Sequence, residues 1–232
     1  MVVWLDKNIF EWQINGSIGC YNAEDIQQCY DYLEYAESLI ENFDDKFHIQ
    51  DCIKNLKCVV DKRIKQIERI YNFKSYFPNQ HILETYKELG IVKGFVIRKL
   101  FSIRNDIEHN ELEYSNKEQC QDLLDTVWYF LKSTDRLVYE SDVNNDLYDD
   151  IEKENYVLTI DVEDPLIKKA KVHGKISKAM LSYDYKEGYI KIEKVNLSII
   201  DKHLIYIDGE IVLNNELKII IAKKFFINRI LN

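Results

Sequence analysis

Apolar residues recur at helical spacing up to about residue 138 and at alternating spacing after it. Ile26, Cys29, Tyr30, Leu33, Ala36, Ile40 and Phe43 mark one helical face, and Asn22 followed by Asp25 has the pattern of a cap and its reciprocal acceptor. Asp44 and Asp45 suit a new N-terminus, after which Ile49, Ile53, Leu56, Val60, Ile67 and Tyr71 continue the stripe. The short break predicts two antiparallel neighbours. Pro78 suits the first turn of a third helix carrying Ile82, Tyr86 and Leu89, with Gly90 as its stop. A fourth, with Val92, Phe95, Val96, Leu100, Ile103 and Ile107 facing inward, runs into Arg104-Asn105-Asp106-Ile107-Glu108-His109. Ser115 and Glu118 form a capping-box pattern ahead of Cys120, Leu123, Leu124, Val127, Trp128 and Leu131, so a last helix ends near Arg136.

The remaining chain follows a period of two. Tyr156-Leu158-Ile160-Val162, Ile190-Ile192, Ile205-Ile207, Ile211-Leu213 and Leu217-Ile219-Ile221 alternate, punctuated by Glu187-Gly188, Asp208-Gly209 and Asn214-Asn215. Weak alternation of Val3, Leu5, Ile9, Trp12 and Ile14 suggests an N-terminal strand or extended arm. Between them, Asp142, Asp146, Asp149, Asp150, Glu152 and Glu154 read as a solvated linker. The expected organisation is an arm or strand over 1–20, a helical bundle over 21–139, an acidic linker over 140–154 and a β-rich domain over 155–232. The fold class is α+β, an antiparallel bundle followed by a mostly antiparallel, barrel-like sheet of five to seven strands.

Composition narrows the setting. With 46% apolar residues but only 7 Gly and 2 Pro, the chain is neither disordered nor a loop-rich disulfide scaffold. Five cysteines sit mostly at helical core spacings and no signal-like segment precedes them, which leads us to expect a cytoplasmic protein. Lys223, Lys224 and Arg229 interrupt the apolar C-terminus, so no membrane span is expected. The net charge of −9 is unevenly spread: residues 1–154 hold 18 Lys and Arg against 30 Asp and Glu, whereas the rest hold 13 against 10. Lys168, Lys169, Lys171, Lys175 and Lys178 cluster there, as one solvated sheet face or as a contact surface for nucleic acid or an acidic partner, with Lys168, Lys169 and Lys171 the candidate RNA contacts.

Few segments carry chemistry. There is no Gly-rich phosphate loop, no GxSxG turn and no CxxC pair; His48 and Cys52 lack a second pair at ligand spacing, so neither a metal nor a cofactor is expected. Several tyrosines suit core and sheet packing, a minority being able to stack bases. Arg104, Asn105 and His109 remain. On a regular helix Arg104 meets Glu108 and Asn105 meets His109, which alone describes a surface ion pair and a last-turn histidine.

Its context adds a second reading. The run from Leu100 to His109, the short turn after it and the helix with Val127-Trp128 and Leu131 resemble the HEPN family over roughly residues 20–138. In that family an Arg, usually followed by a polar residue, precedes a His by four to six residues near the junction of two bundle helices. Here four intervene and Asn105 follows Arg104, while Glu111 stands where some HEPN toxins carry a Tyr. The resemblance implies a metal-independent endoribonuclease, a toxin or antiphage effector, acting as a homodimer with two motifs across one cleft. It implies products with 2′,3′-cyclic phosphate and 5′-hydroxyl ends, and an antitoxin or regulatory protein as a possible further partner. In this scheme His109 serves as base or acid, Arg104 holds phosphate oxygens and Asn105 orients either. The competing expectation is a non-catalytic module that dimerises or binds a nucleotide or partner.

Overall fold

The computed structural model describes residues 1–15, 18–20, 23–42, 46–108, 117–142, 146–149, 156–161 and 169–227. The chain begins with strands β1 (Val3–Asp6), β2 (Gln13–Asn15) and β3 (Ile18–Cys20). Six helices follow: α1 (Ala23–Glu41), α2 (Lys46–Tyr71), α3 (Phe73–Tyr76), α4 (Ile82–Glu88), α5 (Gly94–Glu108) and α6 (Lys117–Tyr139). Strands β4 (Glu140–Asp142), β5 (Asp146–Asp149), β6 (Tyr156–Asp161), β7 (Lys169–Ser177), β8 (Leu181–Ser182), β9 (Tyr189–Ile199) and β10 (Leu204–Val212) precede α7 (Asn215–Ala222). The fold is α+β, in two compact units: Met1–Ile18 with Asp142–Asn232, and Gly19–Ser141.

The helical unit is inserted within the β unit. Its entry and exit strands, β3 and β4, pair with each other. Within the helical unit, α2 buries Cys52, Ile53, Leu56, Val59, Val60 and Ile67, and α6 buries Leu123, Leu124, Val127, Phe130 and Leu131. Where their side chains are described, the expected stripes thus face a common core, with two corrections: Phe95 is 57% exposed and Trp128 is 42% exposed. Both flank the apolar stripe of their helix rather than lie on it. Pro78 does not open a helix either; it sits in the turn between α3 and α4, and His81 caps α4 by accepting from the Leu83 amide at 3.3 Å. Gly90 ends α4 as anticipated, with φ at 80°, where a side chain would be strained. The helix caps expected at Asn22, Asp44, Asp45 and Ser115 lie outside the described residues.

The β unit is an antiparallel sheet of order β2-β5-β6-β7-β10-β9-β1-β8. The N-terminal segment is therefore part of this unit, with β1 between β9 and β8 and with Val3, Leu5 and Ile9 fully buried in its core. Asp146–Asp149, expected as linker, is strand β5; its Leu147 is fully buried, and Asp146 accepts from the Thr159 hydroxyl at 2.7 Å. The Leu217-Ile219-Ile221 segment, expected as a strand, is helical. Asn214 accepts from the Leu217 amide at 2.8 Å as its N-cap, and Leu217, Ile221 and Phe225 pack into the sheet's core. Only Lys178–Met180 separate β7 from β8, which lie four positions apart in the sheet. At about 4.8 Å per strand a flat sheet would separate them by roughly 19 Å, beyond the roughly 14 Å that four peptide steps span. The sheet must curl.

Gly174 marks its tightest crossing. It lies opposite Leu158 with φ at 151°, and a Cβ there would stand 2.1 Å from the Val157 carbonyl oxygen and 2.8 Å from the Leu158 Cα. Gly174→Ala is expected to force β6 away from β7 and to lower stability by about 2 kcal/mol, read from urea denaturation. An unchanged midpoint would show that the strand pair can part without cost.

Candidate active site

Helix α5 is anchored along its first half. Val96, Ile97 and Leu100 are buried, Lys99 pairs with Asp122 of α6 at 3.4 Å, and the ring of Phe101 lies 4.6 Å from that of His81. Arg104 and Asn105 belong to the helical backbone of α5, whose described part reaches Glu108. Their side chains, like Ile103, Ile107 and the whole of His109, lie outside the described residues. The structure thus supplies the frame that carries the first two motif positions, a helix held against α4 and α6.

A second polar constellation escaped the sequence reading. Arg63 of α2 is fully buried; its Nη1 donates to Asp135 Oδ1 at 3.0 Å and to Thr134 Oγ1 at 3.3 Å, both on α6. The Tyr30 hydroxyl of α1 donates to the other Asp135 oxygen, and Lys132 approaches that oxygen at 3.7 Å while lying 4.5 Å from the Tyr30 ring centroid. Burial, reinforced by the hydrogen bond to Asp135, raises the pKa of the Tyr30 hydroxyl. Nearby, burial raises that of the Cys29 thiol against the lowering influence of Arg63. Arg63 Nε and Nη2 have no hydrogen-bond partner among the described residues. With no exposed surface, Arg63 fits a tie between three helices better than a contact for substrate. The available signal was its position: Leu56, Val60, Arg63 and Ile67 follow the core spacing of α2.

A related strain lies between α2 and α4. Glu68 Oε1 and the Tyr86 hydroxyl are buried without partners among the described residues, while Glu68 Oε2 accepts from the Lys74 amide at 3.0 Å. Burial raises the Glu68 pKa. Because the folded value exceeds the unfolded one, the charged carboxylate opposes folding increasingly as pH rises through that window, and the penalty is absent below the unfolded value. Glu68→Gln keeps an acceptor for Lys74, so its Tm should exceed that of the parent at pH 7, with the difference vanishing near about pH 4. A pH-independent difference would assign the effect to packing.

Of the lysine cluster, Lys169 joins a ladder of ion pairs. Lys169 meets Glu210 at 2.9 Å and Glu193 at 3.6 Å, Lys194 meets Glu210 at 2.8 Å, and Lys191 meets Glu193 at 2.8 Å. The hydrogen bond that Lys169 donates to Glu210 leads the causes that raise the Lys169 pKa. Lys171 is exposed but lies in register with Asp161 and Glu210, and Lys168 is outside the described residues. Lys175, exposed between Val157 and Tyr206 in register, has no acidic partner among the described residues. Cys52 does not pair with His48 as a ligand set: it is fully buried, and its thiol hydrogen-bonds to that of Cys120. Among the described residues, no group of three or more His, Cys, Asp or Glu side chains is placed to hold a metal, and no helix is long and apolar enough to cross a membrane.

No protein-family model, curated protein or solved structure matches this chain.

Proposed function

We propose that the chain is a metal-independent ribonuclease of the HEPN type, acting as a homodimeric toxin or antiphage effector. The observation that supports this reading is the place of Arg104 and Asn105 in the last two turns of the described part of α5, a bundle helix packed against α6, with His109 next in sequence after it. Cleavage would begin with removal of the ribose 2′-OH proton, proceed through a phosphorane whose charge Arg104 offsets, and end with protonation of the departing 5′-oxygen. One motif supplies one histidine, so two chains provide base and acid. Incubation with total RNA in excess chelator should yield 2′,3′-cyclic phosphate and 5′-hydroxyl ends. Intact RNA, or cleavage that chelator stops, would overturn the scheme.

A non-catalytic, partner-binding module is the second reading. It is favoured by the ladder in which Glu193 and Glu210 compensate Lys169, which removes one of the expected phosphate contacts. If RNA is held by the β unit, Lys175 is the better contact, and Lys175→Ala should weaken RNA binding and flatten its salt dependence.

A further inference from the structure

One face of the helical unit combines exposed aromatic rings with carboxylates that lack a cation among the described residues. A groove of about 360 Å³ between α1 and α6 is lined by Leu33, Glu37, Leu124, Asp125, Trp128 and Tyr129. Leu33 and Leu124 are buried and form its floor, while Trp128 and Tyr129 are 42% and 59% exposed. Their ring centroids are 5.1 Å apart and their planes meet at 85°, so two aromatic faces form a corner. Glu37 and Asp125 are exposed at the rim and neither has a salt bridge among the described residues.

These parts select a cation. The face of an aromatic ring is electron-rich, and the attraction grows as the cation is desolvated against it. Trp128 already accepts such a contact within the chain: the Lys132 ammonium lies 5.6 Å from its ring centroid. Lys132 is itself committed to Asp135 and Tyr30, and among the described residues Glu37 and Asp125 have no counterion. A phosphate backbone would be repelled by the same two carboxylates. A guanidinium suits the groove better than an ammonium, because it is planar enough to lie on an indole or phenol face while its edge donates to a carboxylate.

We propose that the α1–α6 groove is a docking site for an arginine side chain presented by a basic peptide segment of a partner protein. The site shares no residue with the Arg104–His109 motif and does not depend on the ribonuclease reading. The acidic balance of the N-terminal part of the chain would speed the encounter, and the aromatic corner with its two carboxylates would supply the specificity.

The test uses the full chain and a capped octa-arginine peptide, with the octa-citrulline peptide as a neutral control of nearly the same shape, titrated calorimetrically at physiological salt. Octa-arginine should bind and octa-citrulline should not. Trp128→Ala, and separately Glu37→Gln with Asp125→Asn, should each weaken binding by about fivefold or more. A variant that removes the same charge elsewhere in the unit, Glu84→Gln with Glu88→Gln, should change it by less than about twofold. The carboxylate variant alters only exposed groups, so it keeps the test valid if Trp128→Ala fails to fold. Equal binding of the two peptides overturns the proposal. So does equal weakening by the groove and control variants, which would mean diffuse attraction. A sedimentation experiment in which Trp128→Ala converts a dimer to monomer would also overturn it, by showing that a second copy covers the groove.

Discussion

His109→Ala is expected to remove RNA cleavage by at least about a thousandfold while leaving the melting temperature and oligomeric state unchanged. The argument rests on what the residue alone can do. An imidazole with an ordinary pKa of about 6.5 exchanges a proton near neutrality, and neither Arg104 nor Asn105 can replace it in that role. With one histidine from each chain acting as base and the other as acid, the rate should follow a bell-shaped pH profile, falling when both are protonated and again when both are neutral. Arg104→Lys should retain part of the activity and Arg104→Ala almost none, since the ammonium preserves the charge but loses the two-pronged contact to phosphate. Cleavage by His109→Ala at the parent rate would sink the assignment, and the partner-binding reading would take its place.

The helical unit was legible because burial and period agree within single helices. Ile53, Leu56, Val60, Arg63 and Ile67 are spaced at three and four residues in sequence and are buried in the fold. What escaped was set by contacts distant in sequence. Nothing local in Val3–Asp6 indicates that it lies between β9 and β8, because its partners are some 180 residues away. Asp146–Asp149 looked like a linker because three of its four residues are polar or aromatic and Leu147 is its one fully buried residue; pairing with β2 and β6 on its two sides makes it a strand. The Leu217–Ile221 run is apolar enough to satisfy both periods, and the Asn214 cap decides for the helix. The lysine cluster illustrates a different limit. Counting charges along the chain shows Lys169 and Lys171 but not Glu210, which the register places opposite Lys171 and which pairs with Lys169 at 2.9 Å, nor Glu193 on the next strand. At the motif, sequence identifies Arg104, Asn105 and His109, and the fold adds the helix that carries the first two.

Asp135→Ala is expected to destabilise the helical unit by about 3–5 kcal/mol, the usual cost of stranding a buried charge. Arg63 has no exposed surface, so it cannot regain water without opening the α2–α6 packing, and two of its nitrogens already lack partners among the described residues. Loss of Asp135 would leave its guanidinium the Thr134 hydroxyl, at 3.3 Å, and the neighbouring Cys29 thiol, neither of them charged, and would strip Tyr30 of its acceptor as well. Tyr30→Phe alone should cost about 1 kcal/mol, because Asp135 would keep its contact with Arg63. Replacing both charges together, Arg63→Met with Asp135→Leu, should recover most of the loss, since an apolar pair avoids the desolvation that the ion pair must overcome. Urea midpoints at constant m-value distinguish these outcomes. A loss below about 1 kcal/mol for Asp135→Ala would show that the guanidinium finds another partner. Should the apolar pair restore stability, the remaining role for Arg63 and Asp135 is alignment. Arg63 sits on the apolar stripe of α2, where a slip of one turn would leave it without a carboxylate, and Tyr30 extends the same constraint to α1. The double variant would then melt near the parent temperature but with poorer dispersion of its methyl resonances, a signature that loss of stability alone would not produce.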